Sequence, residues 1–309
     1  MISMRQHAIS LIAVFVALTL GLFLGSGFIG DRVNSLTGTD RDKIGKLQDQ
    51  NEVLNTEVGN DNAFIKAIGP QLTKNMLDKR SVLVVTAPDA ADGDVEELKG
   101  LINDAGGTVS GQMALTTTLV RDEQASKLRT VVDQSIPAGA QLRVEYTDSG
   151  SRIGDLLGVA LLSRAGQKPA SDADRSTVLQ TLRQGGFLEF AEGSIKPADL
   201  VLVVTGGALP ADSGAQGQLV GRLAAAMASR GQGGALVGRN GSADGGSGIS
   251  VVRSDPSLNN AVSTVDNINQ ETGQLTTVMA LSDETQGRTG AYGTGTGATA
   301  ITVGAAPAK

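Results

Sequence analysis

From Ala8 to Ile29 the chain reads AISLIAVFVALTLGLFLGSGFI, without one charged residue. That length slightly exceeds the ~20 residues that cross a hydrocarbon core as a helix. A single span must satisfy its own backbone N–H and C=O groups, so the segment predicts a transmembrane helix. A secretory signal would carry a shorter apolar region, roughly 7–15 residues, with an Ala-x-Ala-like end. Here the run closes on Gly25-Ser26-Gly27-Phe28 and continues into charged sequence, which favours an uncleaved anchor. Residues 1–7 then form a short cytoplasmic start. Arg5 precedes the span while Arg32, Arg41, Lys43 and Lys46 follow it, so the count of positive charges does not support an N-inside orientation. That rule weakens for long translocated domains, and the acidic balance and lack of cysteine lean towards an extracytoplasmic C-terminal domain. We expect a single-pass protein of the cell membrane, with outer-membrane association the less favoured placement. Gly21 and Gly25 make a Gly-x-x-x-Gly pair that lets two membrane helices approach closely.

The anchor runs into a heptad pattern, and residues 31–77 read as a coiled-coil stalk. With Ile44 at position a, Asn51, Val58, Ile65 and Leu72 fall at a and Leu47, Leu54, Asp61 and Ile68 at d. A 3-4 spacing held over about four heptads is the pattern of paired supercoiled helices, and branched residues at a with Leu at d favour two parallel strands. The expected interface is therefore Ile44, Leu47, Asn51, Leu54, Val58, Ile65, Ile68 and Leu72 of a homodimer. Asn51 would bond its symmetry mate and penalise shifted registers. Asp61 is the misfit at d, and Pro70 marks a kink or stop. The competing arrangement is an amphipathic helix packed on its own domain.

Composition narrows the chemistry. Of 309 residues, 40% are hydrophobic but only 3% aromatic, so the core must be aliphatic. The net charge of −6 argues against nucleic-acid binding, which needs a basic surface that releases counterions. With no cysteine there is no disulfide, thiolate metal site or cysteine nucleophile, and with His7 as the single histidine no histidine base serves the folded domain. We expect no catalytic residues and no cofactor.

Between residues 81 and 286 short Val/Leu runs alternate with helical stretches. Val82–Ala87, Thr108–Leu115, the second copy of VLVVT at Val201–Thr205, Ala235–Gly238 and Ile249–Arg253 read as strands. Val95–Ala105, Glu123–Gln134, Arg152–Ser163, Arg175–Gln184, Gln216–Ser229 and Gln274–Ser282 read as helices, with 262–267 ambiguous. Continuous apolar strands alternating with helices imply an α/β domain, its mostly parallel sheet covered by helices. After the first VLVVT the loop holds Asp89, Asp92, Asp94, Glu96 and Glu97 and no phosphate fingerprint. Asp94 reads as a helix N-cap with Glu97 as its capping-box partner. After the second, Gly206 and Gly207 form a turn that could take an anion on backbone N–H groups. Residues 238–248 read as a flexible loop and 287–309 as a Gly/Ala-rich disordered tail.

The sum of a short start, one span, a coiled coil, a domain opening with SVLVVTAPDA, and a late Ser263-Thr264-Val265-Asp266-Asn267 followed by Gly290-Ala291-Tyr292-Gly293 resembles the actinobacterial MctB family. The resemblance implies copper transport or an outer-membrane channel. It also covers a cell-separation member, SteB, which implies a scaffold acting with a SteA-like membrane protein and a peptidoglycan hydrolase. Copper(I) prefers thiolate, thioether and imidazole donors, and this chain offers no Cys, one His and six scattered Met. Its own residues therefore favour the scaffold. An anion- or nucleotide-binding envelope domain is the third reading.

Overall fold

A computed structural model describes residues 28–164 and 170–305. The apolar segment as far as Gly27, with Gly21 and Gly25, lies outside them. Among the described residues no helix is long and apolar enough to cross a membrane. The chain divides into two compact units, Met1–Asp61 and Asn62–Lys309.

Helix α1 (Phe28–Leu72) runs through the heptad region and ends two residues after Pro70. In the first unit Ile44, Leu47, Leu54 and Val58 are all more than half exposed. In the second unit the last turns of α1 pack on their own domain. Gly69 lies against Leu275, Lys66 pairs with Glu271 at 3.4 Å, and Thr73 is fully buried. Ile65 and Ile68 are half-buried and Leu72 is half-exposed. The end of this helix is thus packed on its own domain, at Ile65, Ile68 and Gly69.

The second unit is the expected α/β domain. After α1 come β1 (Ser81–Thr86), α2 (Asp92–Asp104) and β2 (Thr108–Leu115). A single 3-10 turn at Asp122–Gln124 leads into α3 (Ala125–Gln134), followed by α4 (Ser149–Leu161) and α5 (Asp172–Gln184). Then follow β3 (Leu188–Glu189), β4 (Leu200–Val204), α6 (Gln216–Ala228), β5 (Gly234–Val237), α7 (Gly248–Ser254), α8 (Pro256–Asn259), β6 (Ser263–Val265), α9 (Glu271–Glu284) and β7 (Ala291–Tyr292). The sheet order is β3-β2-β1-β4-β5-β6-β7, parallel except for the β2–β3 pair. The two VLVVT copies are central neighbours, offset by one residue, with Leu83 opposite Val201 and Val85 opposite Val203.

Alternation along these strands builds two cores. Leu83, Val85, Val201, Val203 and Leu236 face α3 to α7, whereas Val82, Val84, Leu200, Leu202, Val204 and Val237 face α2 and α9. Because each central strand is covered on both faces, apolar residues occupy every position and a period-two pattern disappears. On the first face α4 lies directly on α6. Gly154 permits this contact, since a Cβ there would sit 2.5 Å from the Leu223 carbonyl oxygen. The fully buried Asp155 on α4 closes the same seam, taking the Arg230 Nε at 2.6 Å and Nη2 at 2.7 Å.

Four local expectations need correction. Ile249–Arg253 is helical, as α7, because Ile249 and Val252, one turn apart, are both buried against α6. Three apolar residues within a five-residue stretch do not separate a buried strand from one helical turn. Asp94 is not an N-cap: α2 begins at Asp92 after Ala91, which makes no side-chain cap, and Asp94 instead binds Arg239 at 2.6 and 3.0 Å. Glu97 is used across the fold, accepting from Gln274 Nε2 at 2.6 Å. The loop 238–248 is pinned, with Ser242 fully buried and the Ser247 hydroxyl accepting the Leu209 N–H at 3.1 Å. The tail contributes β7, and residues through 305 continue from it. Asp266 accepts the N–H groups of Thr294 at 2.9 Å and Gly295 at 3.0 Å. Low complexity there reflects close backbone approach to a buried carboxylate.

Candidate functional site at the carboxyl ends of the strands

In a parallel sheet of this order the chain leaves β1 towards β2 and later returns to β4 on the other side of β1. The loops after β1 and β4 therefore diverge, and a crevice opens where ligands commonly bind. The loop after β4 holds Gly206 and Gly207. Asp89, half-buried in the loop after β1, reaches across and accepts the Gly206 N–H at 2.8 Å, the Thr205 hydroxyl at 3.0 Å and Gln216 Nε2 at 3.0 Å. Where a backbone nest would cradle a phosphate, the protein places its own carboxylate. Gly207 lies against the Asn240 carbonyl oxygen, 3.0 Å from where a Cβ would be.

Beside this plug lies a crevice of about 480 Å³ lined by Thr117, Arg121, Asp122, Glu123, Asp212 and Gln216 among others. Three carboxylates against one guanidinium make it unfavourable to anions. An adjoining hollow of about 210 Å³ has an apolar wall of Leu119, Leu128 and Leu219, with Asp148 and Arg222 at its edge. Asp148 caps α4 by accepting the Ser151 N–H at 2.9 Å and also takes Arg222 Nη1 at 3.2 Å. Burial pushes its carboxyl up, but the Ser151 and Arg222 interactions outweigh that and hold it below the usual carboxylate range.

Further along the edge the buried charges are matched internally. The side chain of Arg253, after β5, is 3% exposed and that of Asp266, after β6, is 2% exposed; they meet at 2.6 Å. Arg253 also donates to the Thr264 hydroxyl at 3.0 Å and to the carbonyls of Thr296 at 2.9 Å and Tyr292 at 2.7 Å. Nothing local in the sequence predicts these pairings, since the partners come from separate loops. The one legible signal is the placement of Asp89 and Asp266 just after β-rich runs, where turn acids reach neighbouring loops.

Among the described residues no group of three or more His, Cys, Asp or Glu is placed to hold a metal ion. Met113 and Met227 are sealed in the first core, at 1% and 0% exposure. Of the other described methionines, Met76 is exposed and Met279 half-buried.

A family model described as "Copper transport outer membrane protein, MctB" matches residues 1–303. The chain belongs to the MctB family. The protein named Copper transporter MctB of Mycobacterium tuberculosis is 43% identical over 314 residues, covering 98% of this chain and 99% of the relative. The protein of that name from Mycobacterium leprae is 44% identical over 317 residues, with the same coverage. Likeness over nearly the full length of both chains extends the family beyond the α/β domain to the N-terminal apolar and heptad segments.

Proposed function

We propose that this chain serves copper transport at the cell envelope as a membrane-tethered module whose α/β domain engages other proteins and does not itself conduct the ion. The copper assignment rests on the relatives, which carry the name copper transporter. The division of labour is supported by the donor set: the sequence has no Cys and one His, only Met76 and Met279 among the described methionines are not sealed, and the thioethers of Met113 and Met227 are enclosed by aliphatic packing. Each is core filler of the kind that Met supplies. Asp89 fills the turn after β4, and the neighbouring crevice with Asp122, Glu123 and Asp212 is an acidic surface suited to a basic protein partner.

A second reading, a dimeric scaffold for cell separation, is supported by the exposed Ile44, Leu47, Leu54 and Val58 on one stripe of α1. A second copy is the natural cover for a stripe at heptad spacing with Asn51 in its midst. The scaffold would act beside a membrane partner and a peptidoglycan hydrolase.

Deletion of the gene, with copper tolerance, cell-associated copper and septal separation all measured, tests both readings. Complementation with Met113→Leu/Met227→Leu should restore copper tolerance in full, because these swaps nearly conserve volume. Complementation with Leu47→Ser/Leu54→Ser should fail. Loss of tolerance with the Met variant, at normal protein levels, would refute the proposed division of labour. A separation defect with unchanged copper handling would favour the scaffold.

A further inference from the structure

Glu284 ends α9 and is 5% exposed. Its Oε1 accepts the Ser263 N–H at 2.8 Å and the Ser263 hydroxyl at 2.5 Å. The Ser263 Oγ in turn accepts the N–H of Gly290, the residue before β7, at 3.1 Å. The carboxyl also lies against Gly233, just ahead of β5, whose φ of 129° suits glycine and where a side chain would collide with it. One carboxyl therefore touches the starts of β5 and β6 directly, and holds the start of β7 through the Ser263 hydroxyl.

Among the described residues no cation is among its partners. The ionisable groups around it are Asp283 on its own helix, Tyr292 on β7 and Arg288 on the intervening loop, and Arg288 is engaged with Asp283 at 3.2 Å. From β5 and β6 the contacts are Gly233, Gly234 and Ser263, none of them ionisable.

We propose that Glu284 is a pH-operated latch on the β6–β7 edge: neutral, it fastens the starts of three strands, and ionised, it loosens that edge and the C-terminal segment continuing from it. Burial is the dominant influence and pushes the carboxyl up from 4.5 to about 7, against the opposing effect of the Ser263 and Gly234 donors. A carboxyl raised in the folded state favours folding in its neutral form. The latch is therefore fully set below pH 4.5 and released as pH rises through about 7. Between pH 5.5 and 8 the linkage amounts to about 30-fold in the closed-to-open ratio.

Amide hydrogen exchange on the full chain tests this, with rates corrected for intrinsic pH dependence. Protection of 263–265 and 290–292 should fall by roughly that factor from pH 5.5 to 8, while β1 and β4 hold. Glu284→Gln, a neutral isostere, should flatten the profile. An unchanged fall in that variant, or an equal fall across the whole sheet, would overturn the latch. The wild-type 13C shift of the Glu284 carboxyl gives a check that needs no variant. A midpoint near 7 supports the latch and one near 4.5 overturns it.

Discussion

Replacing Arg253 by Met removes one half of the most enclosed ion pair among the described residues. Four donated hydrogen bonds disappear, to Thr264, Asp266, Tyr292 and Thr296. Asp266, at 2% exposure, keeps only the N–H groups of Thr294 and Gly295 and loses its countercharge. Leaving one member of a buried pair uncompensated costs about 3–5 kcal/mol. Burial also draws the Arg253 pKa down despite Asp266, so desolvation already offsets part of the attraction and the lower end is expected. We predict a loss of about 3 kcal/mol, read as a fall of about 1 M in the urea midpoint of the full chain at a slope of about 3 kcal/mol/M. Circular dichroism follows the helices, and tyrosine emission in a Tyr146→Phe background follows Tyr292 at the edge. Arg253→Lys keeps the charge but loses the planar fork that reaches four acceptors, and should lose about half as much. A Met variant within about 0.5 kcal/mol of wild type would refute the reading that this pair holds the seventh strand and the tail.

Three further outcomes follow from the packing. Gly154→Leu would drive α4 off α6 and should cost at least 2 kcal/mol in the same unfolding assay, with Gly154→Ala costing about 1–3. Asp89→Ala leaves the Gly206 N–H, the Thr205 hydroxyl and Gln216 without their acceptor, so a loss of about 1–3 kcal/mol is expected. The same variant should gain measurable phosphate binding by calorimetry if the nest is otherwise intact. Asn51→Leu should broaden the oligomer distribution of the full chain in sedimentation, and an unchanged monomer would remove the dimeric reading of α1.

Much of the α/β architecture was legible because it rests on local signals. Val82–Ala87 and Val201–Thr205 announce doubly covered strands by nearly unbroken apolar character, and Gln216–Ser229 announces a helix by its length and its alanines. The short elements were not legible. The two residues of β3 and of β7 are strands only because β2 and β6 already stand there to bond them. Asp94 carries a good local capping signal that tertiary structure overrode, since pairing with Arg239 across the crevice satisfies a nearly buried carboxylate better than one backbone N–H. For the candidate site, the Gly206-Gly207 turn was visible and its occupant was not. Asp89 lies 117 residues away in sequence, and no local pattern encodes that distance.

What the sequence by itself determined is the order of parts: an apolar segment, a heptad-bearing stretch, and an aliphatic α/β domain without Cys or His, the single His7 lying ahead of the apolar segment. These follow from composition and periodicity, which act over one or a few turns of chain. Only the tertiary structure decided that the end of α1 packs on its own domain, with Gly69 against Leu275, and that the Gly-rich tail adds the last strand of the sheet. Only it decided that the expected anion nest is filled from within. In each case the outcome turns on which buried charge meets which donor, and such meetings are set by how distant loops converge.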